Sequence, residues 1–219
     1  MTRIAIDRRR DILGLIDIQP TFMPGGDLPV PDGEAVVAVA NDLLRRCFDH
    51  AFATQDWHPP GHSSFASAHP GRSPYDVVQM DYGPQTLWPD HGLQGSAAAE
   101  LHPGLDTARV ELVVRKGFRP AIDSYSAFSE NDRTTPTGLE GALRERGFER
   151  LFLVGLALDF CVAYSAEDAA RRGFRTFIVE DACRGIGLPD AAGGTSIDAA
   201  RRRLEALGVA FVPSSSLDG

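Results

Sequence analysis

Lysine is almost absent from this chain of 219 residues: Lys116 is the only one, and arginines supply the rest of the 22 basic side chains. Arginine is a wide planar fork that keeps its charge, whereas lysine is a compact ammonium whose pKa shifts when it is buried. The apolar residues LVV stand two positions before Lys116, which predicts a buried strand ending at this lysine. We therefore expect Lys116 to serve a crowded functional site.

Long apolar runs are lacking as well, since no stretch approaches the ~18 residues of a membrane-spanning helix. The run ILGLI after the charged N-terminus is too short for the apolar region of a signal peptide. The net charge of −8 argues against nonspecific binding to nucleic acids or anionic membranes, which requires a basic surface. These absences favour a cytoplasmic protein with neither a nucleic-acid nor a membrane partner.

Cysteine is scarce, and Cys47, Cys161 and Cys183 lie far apart in the sequence. An odd number of cysteines without close spacing indicates free thiols, one of which can be reactive. Cys47 lies in an amphipathic helical pattern, so it and Cys183 are interpreted as buried structural residues. Cys161 remains as the candidate nucleophile.

Apolar runs alternate with helical patterns along the chain. The runs predict strands at 12–17, 50–56, 111–116, 150–155, 175–180 and 209–212. Apolar spacing predicts helices at 33–48, 137–147, 160–173 and 196–208. This alternation indicates one α/β domain over residues 1–219, with three α/β/α layers around a mostly parallel six-stranded sheet. The stretch at about 57–104 is rich in Pro, Gly, Ser and His and is predicted to be a long functional loop.

Four reactive side chains follow the predicted strands. Asp17, Asp56 and Lys116 end the first three strands, and Cys161 lies just beyond the fourth. Ligands of open parallel sheets bind outside the carboxyl ends of the strands, so we expect these groups to converge. A helix N-terminus, and Lys116 from an adjacent strand, are expected to lower the pKa of the Cys161 thiol. Asp17 is then the expected proton acceptor and donor.

Histidines near Asp56 form a second candidate cluster. Asp56 and His58 are two residues apart, so on an extended segment they face the same side. A carboxylate and an imidazole suit Zn²⁺, Fe²⁺ or Mn²⁺, and His91 in the segment WPDH is a candidate third ligand. Three roles are open for His62: a fourth metal ligand, a group behind the ligands, or a surface loop residue without a role in the site. Spacing alone leaves the metal site a hypothesis.

Six segments of the chain resemble nicotinamidases, also called pyrazinamidases, of the isochorismatase-like cysteine hydrolase superfamily. They are DIQPTFMPGGDLPV (17–30), TQDWHPPGHSSFA (54–66), LWPDHGLQGS (87–96), RKGFRPAIDSYSAF (115–128), GLALDFCV (155–162) and VEDACRG (179–185). They occur in the order typical of the family and span nearly the whole chain. The resemblance implies hydrolysis of nicotinamide, and also of pyrazinamide, through a cysteine thioester, in the salvage of nicotinamide toward NAD. It also implies one divalent metal ion, with zinc preferred over iron or manganese.

The resemblance further implies roles for individual residues. The catalytic triad matches Asp17, Lys116 and Cys161. The metal ligands match Asp56, His58 and His91. The oxyanion hole matches the backbone N–H groups of Ala157 and Cys161, beside a cis peptide bond between Leu156 and Ala157. The pocket for the substrate ring matches Phe22, Trp88 and Tyr125, and Gln19 matches a residue close behind the triad. Leu158 and Phe160 differ from the residues that are common in the family at the edge of the site.

Three other functions compete with this interpretation. The first is a hydrolase of the same superfamily acting on another amide or an ether, although an isochorismatase would not need the metal-binding residues. The second is an inactive member that binds a small molecule or a partner, although the triad is complete. The third is a metal-dependent hydrolase that uses metal hydroxide without a covalent step. The sequence leaves the oligomeric state open and is compatible with a homo-oligomer.

Overall fold

The computed structural model of the chain describes residues 3–191 and 193–219. Within these ranges the strands β1–β10 are Ile4–Ala5, Asp11–Ile16, Ala51–Asp56, Val77–Met80, Gly83–Thr86, Val110–Lys116, Arg150–Gly155, Arg175–Cys183, Ala210–Val212 and Leu217–Asp218. The helices α1–α4 are Ala35–Arg46, Leu139–Glu145, Ala163–Arg171 and Ser196–Glu205. A π-helical turn, Leu158–Val162, leads directly into α3. None of these helices combines the length and the apolar character that crossing a membrane requires.

Six of the strands form one sheet, in the order β6-β3-β2-β7-β8-β9, and every neighbouring pair is parallel. All six correspond to the strands predicted from the apolar runs, so the prediction of a mostly parallel six-stranded sheet is confirmed. Every residue of β2 and β3 is buried, whereas the edge strand β6 alternates between exposed and covered positions. Burial at every position is what a central strand covered on both faces requires.

Two apolar cores lie on opposite faces of the sheet. Leu13 and Leu15 of β2 pack in the core that contains the buried face of α1. Ile12 and Ile16 of the same strand pack in the other core, which contains the buried residues of α2, α3 and α4. Successive side chains of a strand point to opposite faces, so β2 supplies both cores. The predicted three-layer arrangement of helices, sheet and helices is therefore confirmed.

The long loop at 57–104 contains more structure than the sequence pattern indicated. Strands β4 and β5 form an antiparallel hairpin, and short 3-10 turns lie at Ala66–Ala68 and Ala97–Ala99. The prediction missed the hairpin because its strands have only four residues each and carry no apolar run. Strands β1 and β10, which pair at the chain ends, were missed for the same reason.

Candidate active site

Four neighbouring strands of the sheet carry the reactive side chains to one edge. Asp17 follows β2, Asp56 ends β3, Lys116 ends β6, and Cys161 lies in the π-helical turn after β7. The expectation that Lys116 lies on a strand adjacent to that of Cys161 is wrong, because β3 and β2 separate β6 from β7. The long lysine side chain covers this distance, and its Nζ lies 3.5 Å from Cys161 Sγ.

Lys116 is the centre of the arrangement and is only 1% exposed. Its Nζ lies 2.7 Å from Asp17 Oδ2, contacts Asp56 Oδ1 and donates a hydrogen bond of 3.2 Å to the carbonyl oxygen of Ser124. Burial disfavours the ammonium, but Asp17 and then Asp56 outweigh it and raise the pKa of Lys116 well above its usual range. The side chain is therefore a permanent, compact cation that one carbonyl and two carboxylates surround.

Asp17 has a left-handed backbone, with φ at 47°, which is uncommon for a residue other than glycine and indicates a constrained position. Its N–H donates to Thr54 Oγ1 at 3.0 Å, and the Thr54 hydroxyl donates in return to the carboxylate. Burial raises the pKa of Asp17 to about 6, although Lys116 acts in the opposite direction. A carboxyl group with such a pKa can both accept and release a proton near neutral pH.

Cys161 is buried, and burial raises the pKa of its thiol well above the usual range. Lys116 lowers this pKa, but the nearby Asp17 and Asp56 carboxylates add to the effect of burial. The expectation of a lowered pKa at Cys161 is therefore wrong, because burial raises this pKa more than Lys116 lowers it, and the two carboxylates add to the effect of burial. The resting group is a neutral thiol that needs a base at the moment of attack, and an Asp17 oxygen lies within 4.8 Å of Sγ.

The backbone before Cys161 turns sharply away from β7. The peptide bond between Leu156 and Ala157 is cis, which confirms the prediction for this position. Gly155 has φ at 119°, and a Cβ there would lie 2.0 Å from the carbonyl oxygen of Ile16, so glycine is required. The N–H of Ala157 donates to no acceptor within the described part of the chain. It lies at the start of the turn that carries Cys161 and is available to a ligand.

Asp56, His58 and His91 offer donor atoms that all lie within 4.8 Å of one another, and all three residues are buried. His91 Nδ1 donates to the carbonyl oxygen of Pro89 at 2.8 Å, so its Nε2 carries the lone pair and lies 3.5 Å from Asp56 Oδ2. His58 Nδ1 is buried without a hydrogen-bond partner. A buried nitrogen without a partner is unfavourable, and one carboxylate with two imidazoles suits zinc and similar divalent metals. These residues fit a metal ion.

Asp56 connects Lys116 to the candidate metal cluster. One Asp56 carboxylate oxygen contacts Lys116, and the other faces His91. Burial would raise the pKa of Asp56, but Lys116 and the two histidines hold it well below its usual range, so the carboxylate stays ionised. Gln19 fixes the backbone behind it: its Nε2 donates to Asp56 O at 3.0 Å, and its Oε1 accepts from Asp56 N at 2.9 Å.

His62 lies directly behind His58, with the two ring centroids 4.5 Å apart. Its Nδ1 contacts Ser64 Oγ at 2.8 Å, and its Nε2 donates to the carbonyl oxygen of Arg119 at 2.8 Å. Although His62 lies close enough to His58 and Asp123 for a second cluster, both of its nitrogens are engaged with protein atoms. In this arrangement His62 supports the cluster from behind.

Asp123 is a buried residue of the site that sequence reasoning missed. Its Oδ1 accepts a hydrogen bond of 3.1 Å from His58 Nε2, so the ring presents Nδ1 on its other side. Gly117, with φ at 66°, is required next to this ring, because a Cβ there would lie 2.5 Å from His58 Nε2. Asp123 belongs to the segment 115–128 that resembles the family, but it lies in a loop and ends no strand. The strand-end rule therefore could not identify it.

Aromatic side chains form the wall of the cavity that contains Cys161. Phe22, Trp88 and Tyr125 all line it, together with Asp56 and His91. Trp88 and Tyr125 meet edge to face, with their centroids 6.2 Å apart, and Trp88 Nε1 donates to Tyr125 Oη at 2.9 Å. Phe160, which the resemblance placed at the edge of the site, also lines the cavity, and so do Leu28 and Ile186, which were not predicted. The aromatic walls suit a flat aromatic ring.

Comparison with known proteins finds one matching family model and several similar enzymes. A family model described as the isochorismatase domain matches residues 12–205. The nicotinamidase of Acinetobacter baylyi is 49% identical over 174 residues, which cover 80% of this chain and 81% of that protein. The nicotinamidase of Escherichia coli is 44% identical over 177 residues, which cover 80% and 83% of the two chains.

Solved structures with a similar fold include nicotinamidases and pyrazinamidases. The Acinetobacter baumanii nicotinamidase/pyrazinamidase has a TM-score of 0.89 at 45% identity, covering 94% of this chain and 97% of that one. PnC1 from L. infantum, solved in complex with nicotinate, has a TM-score of 0.83 at 38% identity and covers 98% of both chains. The pyrazinamidase of Pyrococcus horikoshii, solved in complex with zinc, has a TM-score of 0.72 at 28% identity, covering 93% of this chain and 99% of that one.

Proposed function

This chain belongs to the isochorismatase family and is a hydrolase of its nicotinamidase group, and we propose that it converts nicotinamide and water to nicotinate and ammonia through a thioester on Cys161. The observation that carries the proposal is the buried junction at Lys116, which brings Asp17 and Cys161 together. The aromatic cavity around this junction fits a pyridine ring. Pyrazinamide, which differs from nicotinamide by one ring nitrogen, is a second substrate, and salvage of nicotinamide toward NAD is the biological role.

In the first half of the reaction, Asp17 accepts the Cys161 thiol proton while the sulfur attacks the carboxamide carbon. The pKa of Asp17, raised to about 6 by burial, leaves most of this residue ionised at neutral pH. The N–H groups of Ala157 and Cys161 donate to the oxygen that becomes negative, and one donor of this kind typically contributes ~3–4 kcal/mol. Asp17 then returns its proton to the leaving nitrogen, ammonia departs, and the thioester remains.

In the second half, a water molecule attacks the thioester carbon and Asp17 accepts its proton. The carbon–sulfur bond breaks, Asp17 returns its proton to the sulfur, and the product leaves as the acid, which ionises to nicotinate in water. Lys116 stays protonated throughout, because Asp17 and Asp56 hold its pKa well above its usual range. It therefore orients Asp17 and stabilises negative charge on Cys161 when the sulfur attacks and again when it leaves.

Asp56, His58 and His91 are the residues that would hold the divalent metal, for which we propose zinc. When bound, the metal supplies a Lewis acid at the end of the pocket that can orient the ring of the substrate. Phe22, Trp88 and Tyr125 hold the faces and edges of the ring. Phe160 packs against Trp88 with perpendicular rings and a centroid distance of 4.8 Å, so it completes the wall.

Ammonia release from nicotinamide tests the proposal directly. Purified protein should release ammonia and nicotinate in equal amounts, iodoacetamide should abolish the release, and chelation should reduce it. Release that survives complete alkylation of Cys161 would favour a metal-hydroxide mechanism. No release from folded, metal-loaded protein would shift the proposal to another amide, and then to a binding role.

The Cys161→Ala variant separates the thioester from metal binding. We expect turnover to be lost while metal content stays at the wild-type level, because Cys161 is not one of the proposed ligands. Cys47→Ala is the matched control: Cys47 is also buried, but it packs between α1 and the C-terminus and donates to the carbonyl oxygen of Leu217. Substantial turnover in the Cys161→Ala protein would rule out the covalent mechanism.

A further inference from the structure

Gln85 is a fully buried polar residue in a hairpin that is otherwise mostly accessible. It lies on β5 and is 0% exposed, whereas Val77 on the paired strand β4 is 60% exposed. A buried amide without hydrogen bonds is costly, so its position depends on its partners. These partners connect the hairpin to the candidate metal site.

The hydrogen bonds of Gln85 determine how its amide group is oriented. Its Nε2 lies 2.7 Å from the carbonyl oxygen of Thr86 and 2.9 Å from Asp123 Oδ2. A carbonyl oxygen and an ionised carboxylate oxygen accept hydrogen bonds and cannot donate them. Its Oε1 accepts from Asn131 Nδ2 at 3.1 Å. Rotating the amide by 180° would place oxygen against oxygen at Asp123 and nitrogen against nitrogen at Asn131, so only one orientation is compatible with the network.

Asp123 connects Gln85 to His58. Asp123 Oδ1 accepts from Ser124 N at 2.8 Å and from His58 Nε2 at 3.1 Å. Within the described residues, Gln85 is the hydrogen-bond donor to the other oxygen, Oδ2. The two oxygens of one carboxylate are rigidly linked, so a donor at Oδ2 restricts rotation of the whole group. The direction of the His58 ring therefore depends on Gln85.

We propose that Gln85 is a positioning residue for the metal site. Gln85 holds the Asp123 carboxylate, and Asp123 in turn orients the His58 ring so that its Nδ1 faces Asp56 and His91. The inference rests on the proposed metal site and extends it to a residue of the hairpin. Hydrogen-bond partners of a metal-binding histidine orient its ring, and their loss typically weakens metal affinity by about 10–100-fold. Gln85 also contacts Tyr125 Oη at 2.9 Å, so the same amide supports the wall of the ring pocket.

The test is the zinc dissociation constant, measured by competition with a chelating dye on metal-free protein. Gln85→Met conserves length and removes the amide, and we expect it to raise the dissociation constant by about 10-fold or more. Gln79→Met is the matched control in the same hairpin, because Gln79 is exposed and, among the residues that the structure describes, its amide bonds only to the neighbouring carbonyl of Met80. The control should bind zinc like the wild type. An unchanged dissociation constant for Gln85→Met would overturn the inference.

A double-mutant cycle distinguishes positioning from simple loss of packing. If Gln85 acts through Asp123, Gln85→Met should add little to the loss caused by Asp123→Asn alone, because coupled residues are not additive. Independent, multiplicative losses would overturn the proposed route through Asp123. If Gln85→Met does not fold, as judged by circular dichroism, Gln85→Asn is measured instead, since its shorter side chain keeps an amide that cannot reach Asp123.

The same titration separates this inference from the proposed function. A wild-type protein that binds zinc tightly, together with an unaffected Gln85→Met variant, contradicts only the role of Gln85. A folded wild-type protein that binds neither zinc, iron nor manganese contradicts the metal site and this inference together. Neither result depends on ammonia release, so the thioester mechanism is tested independently.

Discussion

A Lys116→Arg variant keeps the positive charge of the site and changes only the shape of the cation. The Lys116 ammonium contacts Asp17, Asp56 and the Ser124 carbonyl oxygen from one atom, and Cys161 Sγ lies 3.5 Å away. A guanidinium is larger and planar, and Lys116 is only 1% exposed, with its ammonium enclosed by these protein groups. Overpacking a buried position costs about 1–3 kcal/mol of stability. A displacement of the reacting groups by about 1 Å costs about 100-fold in rate.

We therefore expect Lys116→Arg to lower kcat/KM for nicotinamide by about 100-fold or more. Its free energy of unfolding should fall by about 1–3 kcal/mol, measured by denaturant titration. Arg115→Lys is the matched control on the same strand. Arg115 is exposed, and its guanidinium lies over the Trp57 ring at 3.8 Å. This change keeps the charge and weakens the contact with Trp57, so it should cost no more than about 0.5–1 kcal/mol of stability and leave the rate close to that of the wild type.

The result that would refute this reasoning is a Lys116→Arg protein with a rate near that of the wild type. It would mean that the site needs only a positive charge, and that the single lysine has no relation to the size of the cavity. Lys116→Met gives the complementary measurement, because it removes the charge while keeping the length. Leaving two buried carboxylates without their cation should cost about 3–5 kcal/mol of stability, which is more than the arginine variant loses.

Three further predictions follow from the described contacts. Because Asp17 must be ionised to accept the thiol proton, and burial raises its pKa to about 6, kcat/KM should fall as the pH falls through about 6; an acid limb at the ordinary aspartate value of 3.8 would contradict this. Phe160→Ala should raise KM for nicotinamide by about tenfold, or about 1.4 kcal/mol, with a smaller change in kcat, since Phe160 packs on Trp88 at the wall; a loss confined to kcat would disagree. Thr195→Ala removes the capping box formed with Asp198 at the start of α4, so the unfolding temperature should drop by about 2–4 °C at unchanged activity, and an unaltered temperature would refute the role of this cap.

Much of the fold and the convergence of reactive groups could be predicted because both depend on short-range pattern. Apolar runs marked the six strands of the sheet, and Asp56 and Lys116 end their strands as the pattern indicated. The parallel arrangement then brings strand ends together whatever the order of the strands. Strand order itself is not written in a periodic pattern, which is why Lys116 was expected on a strand beside that of Cys161.

The remaining parts of the site depend on contacts between loops. Asp123 and Gln85 come from segments without periodicity, and their hydrogen bond joins residues that are far apart in the sequence. The sequence predicts a lowered pKa at Cys161 from a helix N-terminus and from one nearby cation, Lys116. The two carboxylates and the burial that reverse the shift become visible only when all the distances are known. Electrostatic shifts in a crowded site are sums of opposing contributions, so one partner does not determine their sign.

The distribution of Asp17, Asp56, Lys116 and Cys161 over four neighbouring strands has a consequence for folding. The shortest contiguous segment that contains all four residues runs from Asp17 to Cys161, and contacts between residues so distant in sequence form late and slowly. A collapsed intermediate with helices but without the ordered sheet would carry every reactive side chain and still hydrolyse nothing. Recovery of activity after dilution from denaturant therefore reports the docking of β6, β3, β2 and β7, and should lag behind the recovery of helical signal.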